Sequence, residues 1–318
     1  MPDDNINENK KVEAELEATK EQPVEEKTYD QIIEDGRKDL FKSYSVSRRI
    51  STILMFVMLA GICGAMFLFI YGFQIACYIL IGVLLAGMIT FYIVNRKRFP
   101  EKTKNYVALV SETANKELFK NQGFTEIKTD PEEKLKMDDL VGDGIYSDAN
   151  GINSRNVVHG VFNGHHFLYA EAALTRPSTK KQQVPPLFVG RYISVPNNLK
   201  FDGRFIITMK NPKQPLDLPN AVSDLVLLED KDDFTVYGLE GSNYRDAINN
   251  KVVSQLRRIE INGHLLNVNV VFWAGHTAVY LSYDDAIMSV PFEKPFDKEG
   301  FEKALNDLFI AFNAITEE

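Results

Sequence analysis

Charged residues are absent from one long stretch of this 318-residue sequence. Residues 50–95 contain no Asp, Glu, Lys or Arg in 46 consecutive positions, although such residues make up 25% of the chain. A soluble helix needs a polar face toward water, and this stretch offers none. The absence excludes a simple soluble protein and predicts a segment that lies in a lipid bilayer.

Cysteine and clustered basic residues are also scarce. The two cysteines, Cys63 and Cys77, both lie inside the uncharged stretch, which excludes a disulfide framework or a cysteine-based metal site elsewhere. The formal net charge is −8, and no basic stripe interrupts the acidic balance. Nucleic acid is therefore excluded as a partner, because phosphate binding needs clustered Lys and Arg.

The sequence motifs of the common enzyme classes are missing. No G-x-S-x-G, P-loop, G-x-G-x-x-G or HExxH motif occurs in the chain. Adjacent acidic pairs such as Asp138-Asp139 are typical of solvated turns. These absences favour a binding or regulatory role without a cofactor over catalysis.

The uncharged stretch is long enough for two membrane spans. One span needs roughly 20 apolar residues, and Tyr71-Gly72-Phe73-Gln74 provides a break near the middle. Residues 50–95 are therefore predicted to form a transmembrane helical hairpin. A cleaved signal peptide is disfavoured, because about 49 largely polar residues precede the first span.

The flanks of the hairpin predict its orientation. Arg48 and Arg49 precede the first span, and Arg96, Lys97 and Arg98 follow the second, whereas the central turn carries no charge. Basic flanks stay on the cytoplasmic side. We therefore expect a multi-pass protein of the bacterial inner membrane with both termini in the cytoplasm.

Residues 1–49 are predicted to form a disordered acidic arm. They carry 13 acidic and 9 basic residues, and the first 30 residues contain too few large apolar side chains to offset the entropy of ordering. A solvated leader and an acidic interaction tail are both compatible with this composition.

Residues 96–318 are predicted to form a cytoplasmic α+β domain with a mainly antiparallel sheet and flanking helices. Asn163-Gly164 and Ala274-Gly275 indicate two tight hairpins, and further strands are expected over residues 187–195, 204–209 and 234–237. Helices are expected over residues 101–121, over residues 131–140, after Ser242 and after Asp297. Residues 175–186 are predicted to form a mobile loop.

The first hairpin carries the strongest candidate for chemistry. Strand alternation places His159 and His166 on one face, on a diagonal, while Glu171 falls on the other face. Two histidines can begin a zinc site, but a catalytic site needs a third protein ligand. A metal site at His159 and His166, with or without Glu171, is one hypothesis; two ordinary sheet histidines are the simpler one.

The closing hairpin carries a candidate binding patch. One of its faces is apolar, with Val268, Val270 and Phe272. The other face includes Asn269, Trp273, His276 and Tyr280. Amphipathic aromatic side chains anchor many interfaces, so these four residues are predicted to bind a partner unless a helix covers them.

Several short segments between residues 144 and 295 carry a resemblance to a known family. They are Gly144-Ile145-Tyr146-Ser147, Val158-His159-Gly160, Phe167-Leu168-Tyr169-Ala170-Glu171, Leu187-Phe188-Val189-Gly190-Arg191-Tyr192, Phe201-Asp202-Gly203, Asp233-Phe234-Thr235-Val236-Tyr237 and Val271-Phe272-Trp273. In these segments, and in its plan of two spans followed by a soluble domain, the chain resembles the bacterial family called domain of unknown function 3137. The family has no assigned reaction, so the resemblance implies no catalytic residue. Its members are often encoded near LemA-type membrane proteins, which implies a LemA-type partner in a membrane complex.

Together these features predict a membrane protein whose cytoplasmic domain binds a protein partner or regulates a membrane complex. Two alternatives remain open from the sequence. One is a membrane-tethered metal-dependent hydrolase that uses the histidine pair. The other is a sensor domain that binds a small ligand or lipid.

Overall fold

The computed structural model describes residues 27–130, 132–141, 144–146, 148–176, 185–197, 203–210, 224–242, 244–248, 250–261, 265–273, 275–283 and 291–316. Two long helices open the described chain: α1 spans Tyr29–Ile70 and α2 spans Gln74–Leu118. Each contains a stretch long and apolar enough to cross a membrane, and only 6% of each stretch is buried. The apolar side chains therefore face outward instead of filling a protein core.

The two helices turn back on each other where the sequence predicts a break. Gly72 adopts a φ of 84° in the connecting turn, a conformation that glycine reaches without strain. Within the hairpin, a Cβ atom on Gly61 would lie 2.2 Å from Leu84 Cδ1. The small residue thus permits the close helix approach that small-residue spacings predict.

Helix α1 begins far before the uncharged stretch. Residues 29–49 are helical, and Ile33 and Leu40 are buried against Tyr106 and Val110 of α2. The expected disorder of residues 1–49 is therefore corrected for residues 29–49, because apolar side chains seven positions apart share one helix face and find a partner helix. Residues 1–26 lie outside the described residues.

In the part of the chain that the structure describes, nine strands and four shorter helices follow the hairpin. The strands are β1 Phe124–Asp130, β2 Gly151–Phe162, β3 His165–Thr175, β4 Phe188–Pro196, β5 Arg204–Met209, β6 Val226–Asp230, β7 Phe234–Gly238, β8 Leu265–Trp273 and β9 His276–Tyr283. The helices are α3 Met137–Val141, α4 Tyr244–Ala247, α5 Asn250–Leu256 and α6 Lys298–Thr316. The strands form one antiparallel sheet in the order β1-β2-β3-β4-β9-β8-β5-β7-β6. The predicted fold class is confirmed.

Both predicted hairpins are present in the expected register. Phe162 pairs with His165 across the Asn163-Gly164 turn, and both turn residues have positive φ, as a type I′ turn requires. In the second hairpin Val268 pairs with Leu281 and Val270 with Val279. The loop predicted over residues 175–186 falls mostly on residues 177–184, which lie outside the described residues.

Other local predictions need correction. The edge strands β1 and β6 were not expected from the sequence, and the single helix expected after Ser242 is divided into α4 and α5. The Ser242 hydroxyl donates to the Leu239 carbonyl at 2.6 Å, so it belongs to the preceding turn. Asp297 does cap α6, since its carboxylate accepts the Gly300 N–H at 3.0 Å.

Helices and loops cover both faces of the sheet. On one face a large apolar cluster includes Phe162, Phe167, Ile193, Val270 and Phe312, the last from α6. On the opposite face the side chains pack against residues 135–141 and 144–146. The members of this second cluster include Leu140, Ile145, Tyr146, Tyr192, Val271 and Tyr280.

A short extended segment before α6 contacts both α1 and α2. We call residues 291–297 the strap. Arg37 of α1 donates to the Phe292 carbonyl at 2.9 Å, and the Phe296 N–H donates to Glu34 at 3.3 Å. Arg37 also binds Glu34 and lowers its pKa to about 2. The strap is therefore held by a charged pair on α1.

Candidate functional site

The four residues of the predicted binding patch share one face of the sheet, but two of them are buried. Tyr280 is fully buried, and its hydroxyl donates to the Leu140 carbonyl at 3.0 Å. Asn269 is 3% exposed and accepts a hydrogen bond from Thr208 at 2.9 Å. The expected exposed face is thus corrected, because residues 135–141 and 144–146 cover this side of the sheet.

Trp273 and His276 are the half-buried remainder of the patch. They face each other across β8 and β9, with ring centroids 5.3 Å apart. Within the described residues the buried Trp273 Nε1 has no hydrogen-bond acceptor. Only the end of this hairpin is therefore available to a partner.

The two hairpin histidines have different surroundings. His159 Nε2 lies 2.9 Å from Glu133 Oε1, and both side chains are partly exposed. His166 is exposed, and Glu171 lies on the opposite face of the hairpin. Among the described residues, no group of three or more His, Cys, Asp or Glu is arranged to hold a metal ion.

Glu171 instead belongs to a buried polar cluster between the sheet and α2. Its carboxylate accepts a hydrogen bond from Arg155 Nε at 2.6 Å, and Ser111 and Asn156 lie 3.4 Å away. The Glu171 side chain is 2% exposed. A buried carboxylate is stable only with such partners.

Arg191 lies directly opposite Glu171 in the β3–β4 register and is 1% exposed. Its Nη1 donates to the Ala304 carbonyl of α6 at 2.6 Å, and its guanidinium lies 5.5 Å from the centre of the Tyr283 ring. One buried cation therefore joins two strands to the helix that covers them.

A reciprocal amide pair completes the cluster. Asn115 of α2 donates to Asn156 at 2.6 Å, and Asn156 donates back to Asn115 at 3.1 Å. Asn156 has a φ of 55° at the irregularity in β2, a conformation that Asn tolerates better than most residues. We call the whole set the polar junction; its members are Ser111, Asn115, Arg155, Asn156, Glu171 and Arg191.

Burial changes proton affinities around the polar junction. Burial raises the pKa of the Tyr169 hydroxyl well above its usual range. It also raises the pKa of Asp307, which is 5% exposed on α6, to about 6, although Lys303 and Arg191 lower it in part. Both groups are therefore shielded from water, although charged side chains lie near them.

Glu171 and Arg191 are buried and bound to protein groups, so the role of the polar junction is structural. It attaches the C-terminal part of α2 to the sheet through directional polar contacts. The sequence held one signal for it: Glu171 and Arg191 are charges inside otherwise apolar strands. Which α2 side chains meet them depends on packing between distant segments.

A separate cleft of about 270 Å³ opens between α1, α2 and α6. Its lining combines apolar with carboxylate and amide side chains, and Tyr29 donates a hydrogen bond to Glu302. The lining residues are Tyr29, Glu117, Leu118, Asn121, Glu302, Leu305, Asn306 and Phe309.

Comparisons with known proteins add little. No protein-family model matches this sequence, and no curated protein matches it either. Among solved structures, the chain is similar to the crystal structure of the mycobacterial trehalose monomycolate transport factor A, TtfA. The identity is 14%, 65% of this chain and 94% of that chain are covered, and the TM-score is 0.38. A likeness at that score carries no argument about function.

Proposed function

We propose that this chain is an integral membrane protein whose α+β domain is a protein-binding or regulatory module of a membrane complex. One observation carries the proposal: α1 and α2 run without interruption from the apolar stretches into the domain. The domain is therefore joined to the hairpin by two helices that are part of its own core.

This connection suits a regulatory role better than a flexible tether would. Ile33 and Leu40 of α1 pack against Tyr106 of α2 and Phe301 of α6. The polar junction fixes α2 to the sheet farther from the apolar stretch. Because packed helices move as rigid bodies, a displacement of the spans is passed directly to the domain.

The location and topology follow from the chain's basic flanks. We propose a bacterial inner-membrane location with both termini and the α+β domain in the cytoplasm. Membership of the domain of unknown function 3137 family and a LemA-type partner are further parts of the proposal. They rest on the resemblance of the short segments.

The end of the β8–β9 hairpin is the proposed contact surface. Trp273 and His276 are its half-buried rings, while Asn269 and Tyr280 support it from within the core.

Photo-crosslinking in native membranes tests this proposal. A photoreactive amino acid at His276 should capture a defined protein partner, whereas the same group at the exposed Lys116 should capture none. Capture at His276 should fall when Trp273 is changed to Ala. Identical patterns from both positions would contradict the contact surface, and a C-terminal reporter active only outside the cytoplasm would contradict the topology.

One observation favours a small-ligand role as a second candidate. The lining of the cleft between α1, α2 and α6 combines apolar side chains with carboxylate and amide groups, the usual make-up of a small-molecule site. Thermal-shift screening of the solubilised chain tests it, with Leu305→Trp as a variant that fills the cleft. Stabilisation by a compound that persists in Leu305→Trp would contradict binding there.

A further inference from the structure

Three carboxylates surround Tyr29 at the cleft between α1, α2 and α6. Tyr29 donates a hydrogen bond to Glu302 of α6, and Glu117 of α2 also lines the cleft. Burial raises the pKa of the Tyr29 hydroxyl well above its usual range, and the charges of Glu302, Asp30 and Glu117 raise it further. The space around this hydroxyl therefore has a negative potential, which favours a cation.

A lysine of the chain itself shows that an ammonium group fits at Tyr29. The Lys298 ammonium lies 5.3 Å from the centre of the Tyr29 ring, 3.8 Å from Asp30 and 4.0 Å from Glu302. This is the geometry of a cation over an aromatic face. The Lys298 side chain is 53% exposed, so its ion pairs are weakened by solvent. A ligand ammonium can therefore take its place.

A second carboxylate of the cleft has a similar exposed partner. Lys120 Nζ lies 2.6 Å from Glu117, and the Lys120 side chain is 68% exposed whereas that of Glu117 is 23% exposed. Two lysine ammoniums, Lys120 and Lys298, thus face three carboxylates at this cleft. One negative charge remains uncompensated among these five groups.

Apolar side chains complete the lining of the cleft. Leu118 of α2 is 1% exposed, and Leu305 and Phe309 lie four positions apart on one face of α6. The Phe309 ring packs against the core ring of Phe162, with centroids 5.8 Å apart. The volume of about 270 Å³ lies just below the range of about 300–1,000 Å³ for drug-sized ligands. The cleft therefore suits a small ligand with a hydrocarbon part.

We propose that this cleft binds an aliphatic diamine or polyamine. The inference rests on the small-ligand role given above as a second candidate function, and it names the class of ligand. One ammonium of the ligand replaces Lys298 beside Glu302 and over the Tyr29 ring. The other replaces Lys120 beside Glu117, and the hydrocarbon chain lies along the apolar lining.

Titration calorimetry of the full-length chain in a non-ionic detergent tests the class of ligand. The probe is 1,6-diaminohexane, and 1,6-hexanediol is the uncharged compound of the same length. We expect the diol to bind at least about fivefold more weakly, and we expect salt to weaken binding of the diamine but not of the diol. Equal affinities for the two compounds, or no detectable binding of the diamine, would overturn the inference.

Charge variants test the two ammonium positions. Glu302→Gln and Glu117→Gln should each weaken diamine binding about two- to fivefold. Lys298→Met removes the competing ammonium and should strengthen binding by a similar factor. The exposed pair Glu112 and Lys116 lies outside the cleft, so Glu112→Gln and Lys116→Met are matched controls without effect. Weaker binding in Lys298→Met, or equal losses in Glu302→Gln and Glu112→Gln, would contradict the assignment.

Blocking variants separate this inference from the proposed functions. Leu305→Trp and Asn306→Trp both fill the cleft, and Asn306 is exposed, so its replacement leaves the core intact. Diamine affinity unchanged in both variants would show that the ligand binds elsewhere and would overturn the inference. If uncharged compounds bind in the cleft and the diamine does not, the inference fails while the small-ligand role stands. Capture of a protein partner at His276 is independent of either result.

Discussion

At the scale of single residues, Arg191 shows what burial demands of a charge. It is 1% exposed, lies beside Glu171 in the neighbouring strand and donates to the Ala304 carbonyl. Water does not reach either charge, so each depends on protein groups. Removing Arg191 takes one of two nearby cations, Arg191 and Arg155, from the buried Glu171 carboxylate and a donor from the Ala304 carbonyl, which costs more than losing both buried charges together.

We expect Arg191→Met to lower the free energy of unfolding by about 3–5 kcal/mol. The double variant Glu171→Leu with Arg191→Met should recover part of that loss, because the partly exposed Arg155 can turn to solvent. Thermal unfolding of the solubilised chain, followed by circular dichroism, measures both. Arg245→Met, at an exposed arginine, is the control and should have little effect. A double variant less stable than Arg191→Met would contradict this account.

Asp307 should make the stability of the domain depend on pH. Burial raises its pKa to about 6 in the folded chain, from a usual value of 3.8, so the folded state binds more protons between about pH 4 and 6. Stability then falls as pH rises through that window and stays lower above it.

We expect Asp307→Asn to stabilise the chain at pH 7.5 by up to about 3 kcal/mol. The difference should vanish near pH 3.5, where the carboxyl group is neutral in both states. Melting temperatures of the two chains across this range provide the measurement, with the exposed Asp232→Asn as a control. A lower melting temperature for Asp307→Asn at pH 7.5 would refute the assignment.

At the scale of elements, the strap is short but contacts three helices, α1, α2 and α6. Phe292 packs edge-on against Tyr44 and Phe99, and Phe296 packs against Phe301 of α6. These seven residues thereby connect α6 and the sheet to both α1 and α2.

We expect Phe292→Ala to loosen that connection at a cost of about 2 kcal/mol, somewhat less than for a fully buried phenylalanine. Hydrogen exchange should accelerate in residues 29–49, whereas exchange in β3 and β4 should not change. Phe41→Ala removes an equally large ring from the exposed side of the same helix and should leave exchange in detergent unchanged. Equal acceleration in the two variants would argue against a role for the strap.

Local sequence patterns predicted most elements, and their failures have physical causes. The Asn163-Gly164 hairpin and the Asp297 cap depend on a few adjacent residues, so short patterns were sufficient. The edge strands β1 and β6 are mostly exposed, and neither β1, which is largely polar, nor β6, which begins with three apolar residues, alternates clearly between polar and apolar positions. They are strands because β2 and β7 offer free edges for hydrogen bonding.

At the scale of the whole molecule, the α+β domain begins earlier in the chain than the charge pattern predicts, since it includes residues that precede the uncharged stretch. A domain of residues 96–318 lacks Ile33 and Leu40, which are 0% and 2% exposed in the core that α1 shares with α2. The N-terminal half of α1 is therefore part of the core that α1 shares with α2 and α6.

We expect the fragment 96–318 to be poorly soluble or to melt well below a fragment in which residues 27–49 are joined to residues 96–318 by a short Gly/Ser linker. The reason is that Tyr106, Val110 and Phe301 become exposed to solvent without Ile33 and Leu40. Expression yield and melting temperature measure the difference. Adding Ile33→Asp and Leu40→Asp to the linked fragment should abolish its advantage. Equal melting temperatures for the two starting fragments would contradict the shared core.

The 46-residue gap in charge was enough to predict two apolar helices, because insertion into a bilayer depends on composition and length alone. The same holds for tight turns, which depend on neighbouring residues. The polar junction and the strap each join segments separated by tens to hundreds of residues. The burial of Tyr280 and Asn269 likewise depends on residues 135–141 and 144–146, which are distant in sequence from the strands that they cover. Such contacts arise from packing between distant surfaces, and so only the folded chain shows which charges are buried and which faces remain open.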